Sequence, residues 1–547
     1  RLRMVSKRIS SVISISTLII AIILSTSPVV RTAEAEALYA AGDKVNFIIH
    51  ISVDGLRSDA VTNLGPENLP NFFKMRVLGA FTDNARTDYN YTNTLPNHAC
   101  QLTGRSVLGP NGHGVSFNDD PGTTFEYVNG QYISGVFDVV HDQGLRTAMY
   151  ASKPKFDFFD RSWNEENGAP DVTGEDHGRD KIDTYINNSN TGVLVDSFVT
   201  HLNLSPHEYA FIHLVDPDAV GHVYGWGSVE YYDVVMKMDT LLGRIFDAVE
   251  LDERFAGTTA ILVTTDHGGK GTSHHDPTVP ENYTIPFYVT APAVPAGADL
   301  YWFNPASRLD PGTGRPNYFA SPQPIRNGGV TNLALDLLSL GAIPGSIINS
   351  GQDLEVTLPG GSATLPTVEL TNPLDGDVFD APATITITAA ASAVKGTVSK
   401  VEFFADYAKI GEDTTAPYSL TWASVFPGEY VITARAVTAA AASTSSIGIN
   451  VITVTPAQGD IGFSDIIIYP NPFRRSATIR FSLREYGTVE LLVFDVLGRR
   501  ITSAIDGSWG AGAHITVLDA SGMSPGCYFY HARLGKATRT GKFMVLR

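Results

Sequence analysis

Three apolar runs in this chain each stop at a side chain able to bind a metal. They are Phe47 to Val53 before Asp54, Tyr209 to Val215 before Asp218 and His222, and Ala260 to Thr265 before Asp266 and His267. His274 follows the third run, and Thr94-Leu95-Pro96-Asn97-His98 lies between the first two. Carboxylate oxygens and imidazole nitrogens suit zinc, and two such ions about 3.5–4 Å apart can grip both the attacking and the leaving oxygen of a phosphoryl group. Asp218 and His222, four residues apart, can share one face of a helical turn, and with His274 they make one expected ligand set. Asp54, Asp266 and His267 make the other, completed by the Thr94 oxygen, whose coordination would leave an alkoxide at neutral pH. The expected cofactors are two divalent metal ions, with zinc favoured by the ligand mix. His275 is the alternative to its neighbour His274, since only one of the two is needed.

Pro96 suits the first turn of a helix, so Thr94 is expected near a helix N-terminus whose free amides face a phosphate. Asn118 is a candidate to hold a further phosphoryl oxygen. Attack by Thr94 would give a phospho-threonine, and two in-line steps would retain configuration at phosphorus. The same residue types have plainer uses. A lone Asp after a strand is usually a turn or cap residue; its recurrence at three strand ends, with a Thr-Pro helix start, is what points to a site. His50 and His213 lie inside strands and read as hydrogen-bonded core residues. Asp239 reads as a cap or ion-pair partner, and His98 as a hydrogen-bonding support for the helix behind Thr94. Lys153 and Lys155 read equally well as surface charges or as substrate contacts.

The elements that must position these residues alternate. From residue 43 to 356, short buried strands (Asn46 to Val53, Thr147 to Ala151, Tyr209 to Val215, Ala260 to Thr265, Thr284 to Thr290) are separated by helical stretches. In Val229 to Glu250, Tyr232, Met236, Met238, Leu241, Leu242, Ile245 and Phe246 form an apolar stripe at helical spacing. Continuous apolar strands alternating with helices predict an α/β fold, a doubly wound and mostly parallel sheet covered on both faces. Ligands of such sheets lie beyond the carboxyl ends of the strands, where the candidate ligands fall.

After the Pro- and Gly-rich connector at Leu358 to Ser362, helical periodicity stops. Residues 365–455 and 460–547 read as two all-β sandwich domains, with alternating stretches such as Thr384 to Thr388, Ala477 to Leu483 and Cys527 to Ala532. At the other end, Arg1, Arg3, Lys7 and Arg8 precede an apolar run from Ile9 to Leu24 and a small-residue stretch. That order is expected of a secretory signal over residues 1–37, cleaved after Ala35 or Ala37, with an uncleaved anchor as the alternative. The two cysteines, Cys100 and Cys527, make no disulfide framework. With 39 Lys and Arg against 57 Asp and Glu, the net charge of −18 argues against binding nucleic-acid duplexes through a broad basic surface.

Val53-Asp54-Gly55, Asn93-Thr94-Leu95-Pro96-Asn97-His98, Leu102-Thr103-Gly104, His113-Gly114-Val115, Asp216 to His222, Thr265 to Gly269 and Gly271 to His274 resemble, in order, the type I phosphodiesterase and nucleotide pyrophosphatase branch of the alkaline phosphatase superfamily. The resemblance implies Thr94 as nucleophile, Asp218, His222 and a late histidine on one zinc, Asp54, Asp266 and His267 on the other, and Asn118 on a non-bridging oxygen. Two departures stand out. Leu95 occupies the place where nucleotide-cleaving members carry a base-stacking aromatic. Lys153 and Lys155 are similar to lysines with which phosphonoacetate hydrolases of the superfamily hold a substrate carboxylate.

Val401 to Ala405, Ile410 to Tyr418 and Trp422 are similar to a bacterial immunoglobulin-like domain. Tyr469 to Phe473, Phe494 to Arg499, Gly526 to Tyr530 and the end Lys542 to Arg547 are similar to the C-terminal sorting domain of the type IX secretion system. The function expected is a secreted or cell-surface hydrolase of phosphodiester bonds, acting on a phosphoester-containing small molecule, with the secretion machinery as its partner and cell-surface attachment in view. The alternatives are a phosphonoacetate hydrolase-like or phosphomonoesterase activity, and, outside enzymes, a surface scaffold or binding protein. For a monoester, the sequence displays no arginine clamp or third metal set.

Overall fold

The computed structural model describes residues 44–357, 365–452 except 395, 440 and 441, and 466–545 except 470, 472, 474, 484, 485, 511, 535 and 536. The expected signal segment, the connector at 358–364 and residues 460–465 lie outside the described residues. Eight strands, β1 (Phe47–Val53), β2 (Ala80–Arg86), β3 (Thr147–Ala151), β4 (Thr184–Asn187), β5 (Tyr209–Leu214), β6 (Thr259–Thr264), β7 (Thr284–Thr290) and β8 (Ala298–Asp299), form one sheet in the order β4-β3-β5-β1-β6-β7-β2-β8. All pairings are parallel except those of β7, which runs against both β6 and β2. The doubly wound, mostly parallel sheet is therefore present, with one strand reversed. The 19-residue connection from β6 to β7 contains only the short helix Pro280–Tyr283, and it is this return that carries His267 to His275 across the mouth.

Helices cover both faces. Ile48, Leu262 and Phe287 pack beneath the helices Thr94–Thr103, Val136–His141 and Val330–Leu337, and Ile49, Ile51 and Val263 pack beneath Ser58–Leu64, Pro70–Leu78, Thr191–Leu204 and Val229–Glu250. The last helix has the bounds its apolar stripe predicts, although Tyr231 and Val235 are buried while Tyr232 and Met236 sit at the edge. Its Asp239 is a cap, accepting from the amides of Asn71 (3.0 Å) and Phe72 (2.8 Å) at the start of the Pro70–Leu78 helix.

The remaining strands form two sandwiches. Residues 367–452 build a five-stranded and a three-stranded sheet around Ile385, Ile387, Phe403, Ile432 and Ile449, and residues 467–545 build a three-stranded and a four-stranded sheet around Ile479, Leu491, Val493 and Phe543. Pairing is antiparallel as expected, except that Val378–Asp380 runs parallel to Asn450–Ile452. Both cysteines are free and buried. Among the described residues, no helix is long and apolar enough to cross a membrane.

Candidate functional site

The parallel strands deliver their ligands to one edge. Asp54 follows β1, Asp218 and His222 stand four apart on the helix Asp216–Tyr224 after β5, and Asp266 and His267 follow β6. The two expected sets, Asp54 with Asp266 and His267, and Asp218 with His222 and His274, each gather ligand atoms within 4.8 Å of one another. Of the two aspartates in Asp216-Pro217-Asp218, the first instead pairs with Lys237. His274 is buried within its set, while exposed His275 hydrogen-bonds Asn93 at 2.8 Å. Backbone bonds join the sets: the Asp218 amide donates to the Asp54 carbonyl (3.0 Å), and the Asp54 amide to that of Leu214 (2.9 Å). Between them Gly55, at φ 74°, lies so close to Asp218 that a Cβ would stand 2.9 Å from its Cα.

The carboxylates are held in one manner. Asp266 Oδ1 accepts from the amides of Gly55 (3.2 Å) and His267 (3.0 Å) and from the Thr265 hydroxyl (3.2 Å), while Oδ2 is buried and makes no hydrogen bond. Asp54 Oδ2 accepts from Lys153 Nζ (2.6 Å) and meets His213 Nε2 (3.0 Å), and its Oδ1 is bare. Asp218 Oδ2 accepts from the same Lys153 Nζ (2.6 Å), and its Oδ1 too is buried without a hydrogen bond. Each aspartate thus has one anchored and one free oxygen, an arrangement costly to bury unless a cation meets the free one.

The imidazoles complete the pattern. His222, His267 and His274 each place Nδ1 against a backbone carbonyl, of Thr272 (3.1 Å), Gly268 (2.8 Å) and Thr92 (2.5 Å) respectively. A carbonyl only accepts, so Nδ1 carries a proton in each ring and Nε2 is the nitrogen turned inward. His274 Nε2 faces His222 Nε2 at 3.1 Å, and His267 Nε2 lies 3.1 Å from Asp266 Oδ2 and 3.5 Å from Asp54 Oδ1. The bare carboxylate oxygens and inward nitrogens call for positive charge between them, which a divalent cation in each set would supply. The electrostatics agree. Burial opposes a charge on His267, but Asp266, Asp54 and Asp218 outweigh it and push its pKa up to about 9. Burial and the neighbouring His267 bring His274 down to about 2. Burial alone would raise Asp54, yet Lys153, His213 and His267 hold it well below the usual carboxylate range.

Thr94 opens the helix Thr94–Thr103 and is buried, its Oγ1 3.4 Å from both His267 Nε2 and Lys153 Nζ. His98 supports it from behind: Nδ1 meets the Thr94 carbonyl at 2.8 Å and Nε2 the Ser52 hydroxyl at 2.9 Å. Asn118 reaches the same helix start, but its Oδ1 accepts from the Leu95 amide at 3.0 Å. With Pro96 lacking an N–H and the Asn97 amide bonded to the Asn93 carbonyl, the expectation of several free first-turn amides needs correction, because a side chain and the helix itself already take them.

Lys153 follows β3, and burial, which would lower its pKa, is overcome by Asp54 and Asp218, so it stays firmly charged. Lys155 is half-buried, its nitrogen 3.6 Å from the exposed Asp119, and burial together with Lys153 lowers its pKa. His50 is a satisfied core residue between Tyr209 Oη (2.8 Å) and Gln101 Oε1 (3.1 Å). His213 has the partners of a core histidine too, but one of them is Asp54, a link that strand periodicity could not single out.

Known proteins give this geometry a family. The profile of type I phosphodiesterase / nucleotide pyrophosphatase matches residues 48–302, that of a bacterial Ig domain residues 366–434, and that of a secretion system C-terminal sorting domain residues 467–546. Human ectonucleotide pyrophosphatase/phosphodiesterase family member 1 is 28% identical over 229 residues, covering 40% of this chain and 23% of that protein. Human bis(5'-adenosyl)-triphosphatase is 25% identical over 231 residues, covering 40% of this chain and 47% of that protein. The matches thus span less than half the length of these curated relatives. The solved structure of murine ectonucleotide pyrophosphatase / phosphodiesterase 5 is 14% identical with a TM-score of 0.39, covering 55% of this chain and 96% of that one. The segment 48–302 belongs to the type I phosphodiesterase / nucleotide pyrophosphatase family, in a chain that continues into a bacterial Ig domain and a secretion system C-terminal sorting domain.

Proposed function

We propose that the protein is an exported, metal-dependent hydrolase of phosphoric esters that works through a phospho-threonine on Thr94. The observation that carries this is the convergence beside Thr94 Oγ1 of three bare carboxylate oxygens and three inward-facing Nε2 atoms. Asp54, Asp266 and His267 would hold one divalent ion and Asp218, His222 and His274 the other, with zinc suited to the donors. Such ions supply charge that lowers the Thr94 pKa and offsets the charge gathering on the phosphoryl oxygens. Thr94 Oγ1 attacks phosphorus in line, the ester oxygen departs as the alcohol, and water then cleaves the phospho-threonine, with net retention. Lys153 keeps its protons toward Thr94 Oγ1 and favours the deprotonated hydroxyl by charge. Asn118, fixed through Oδ1, is left with its amide N–H groups to steady a phosphoryl oxygen. Export by the type IX route follows from the sorting domain.

A second reading concerns the substrate. Lys153 places an ammonium between the two sets, and Lys155 stands near it with only a long contact to Asp119. These charges favour a substrate with more negative charge than a simple diester, a monoester or a phosphonate bearing a carboxylate. Buried Leu95 offers no ring for a nucleobase. Rates on bis(p-nitrophenyl) phosphate, p-nitrophenyl phosphate and phosphonoacetate, measured with added zinc beside Thr94→Ala, test both readings. Turnover of at least one compound is expected, with a loss of about 10⁴-fold or more in the variant. No turnover of any would favour the surface scaffold, and turnover of p-nitrophenyl phosphate and phosphonoacetate unaffected by Lys153→Ala and Lys155→Ala would reject the charge argument.

A further inference from the structure

We infer that His213 is a positioning residue that decides which oxygen of Asp54 is offered to a cation; this rests on the two-cation reading of the site. His213 is fully buried on β5, directly beside Ser52 of β1. Its Nδ1 lies 3.3 Å from the Ser152 amide nitrogen and 2.8 Å from Ser152 Oγ. A backbone amide can only donate, so Nδ1 is an acceptor, and in the neutral ring the proton belongs to Nε2. Nε2 stands 3.0 Å from Asp54 Oδ2 and therefore donates to it.

The consequence is geometric. With Oδ2 held by His213 Nε2–H and Lys153 Nζ, the carboxylate plane of Asp54 is set, and Oδ1 is the oxygen left bare on the side of His267 Nε2, 3.5 Å away. Asp266 reaches the same state by a different route, through two backbone amides and a hydroxyl. Asp54 has no backbone donor to its side chain, and its only other support, Lys153, is shared with Asp218. His213 is thus the one anchor belonging to Asp54 alone among the hydrogen bonds of the described residues. The rings of Phe156, 4.2 Å away between centroids, and His98, 4.8 Å away, wall the imidazole in, so water is poorly placed to replace it. Because Ser152 precedes Lys153, one imidazole also ties the end of β3 to the end of β1.

Two amides separate the donor from the ring's bulk. In His213→Gln the longer side chain can still bring an N–H to Asp54 Oδ2, whereas in His213→Asn the shorter one can meet only Ser152. The full chain, stripped with a chelator and dialysed, would be titrated with zinc by calorimetry, with circular dichroism checking the fold of each variant. Two sites are expected for the unaltered protein. In His213→Asn one of them should weaken by about 10–100-fold while the other keeps its affinity, and His213→Gln should restore most of the loss. Equal affinities in all three proteins would overturn the inference, as would equal weakening by Asn and Gln, which would make the ring's packing the cause. Absence of any zinc site in the unaltered protein would instead reject the two-cation reading on which the inference stands.

Discussion

The two ligand sets draw on the same two residue types, two aspartates and a histidine against one aspartate and two histidines, but differ in placement. Asp54, Asp266 and His267 are wholly buried, and the side chain of Asp266 is pinned by backbone amides. In the other set Asp218 and His274 are buried, but the His222 side chain is 38% exposed, on the last turn of a nine-residue helix, and His274 comes from the long return between β6 and β7. The deep set is built by strand ends, whose positions the sheet's hydrogen bonds dictate; the mouth set depends on a helix and a loop. The difference implies that the deep set is a fixed part of the sheet edge and the mouth set is the adjustable half, the side through which ions and substrate enter.

Several changes would break or sharpen this contrast. Asp266→Ala removes a deep ligand and leaves the Gly55 and His267 amides without their partner, so zinc in that set and phosphatase or phosphodiesterase turnover should both fall by more than about 100-fold, beyond the range of supporting residues. Stripping with a chelator, followed by thermal unfolding with and without zinc, should show a lower melting temperature for the stripped protein, since an ion at about 1,000 times its Kd adds about 4 kcal/mol. The mouth ion should leave first, seen as a step in metal content before the deep one is lost. His222→Ala should reduce turnover at limiting zinc by about 10-fold and be rescued by excess zinc, which Asp266→Ala should not be. A His222→Ala that resists rescue would erase the distinction. The smallest effect belongs to Gly55→Ala, where positive φ and the close Asp218 backbone should cost about 1–3 kcal/mol in a denaturant titration and disturb both sets together.

The sequence displays the parts of this site because strand ends carry periodicity and punctuation. Asp54, Asp218, Asp266 and His267 could be found there, and the Asp-x-x-x-His spacing pointed to His222. The α/β sheet was readable for the same reason, while β2, β4 and β8 and the reversal of β7 were not, since polar or very short strands lack an apolar run and apolar runs do not encode direction or partner. Side-chain reach is also silent in sequence. Nothing in Ser152-Lys153-Pro154-Lys155 says that the first lysine bridges two aspartates while the second stays nearly free. Nor could spacing show that Asn118 takes the Leu95 amide, or that three histidines set Nδ1 on carbonyls from two loops. The sandwiches were easier, because alternation in Ala383–Ser392 maps directly onto buried and exposed faces.

The central claim is that the sheet edge assembles two cation sites around one threonine oxygen. Diffraction from crystals soaked in zinc, with anomalous scattering recorded at the zinc edge, tests it most directly. Two peaks are expected, one among Asp54, Asp266 and His267 and one among Asp218, His222 and His274, with Thr94 Oγ1 between them. A map with no peak, or with zinc bound only away from these two sets, would contradict the account.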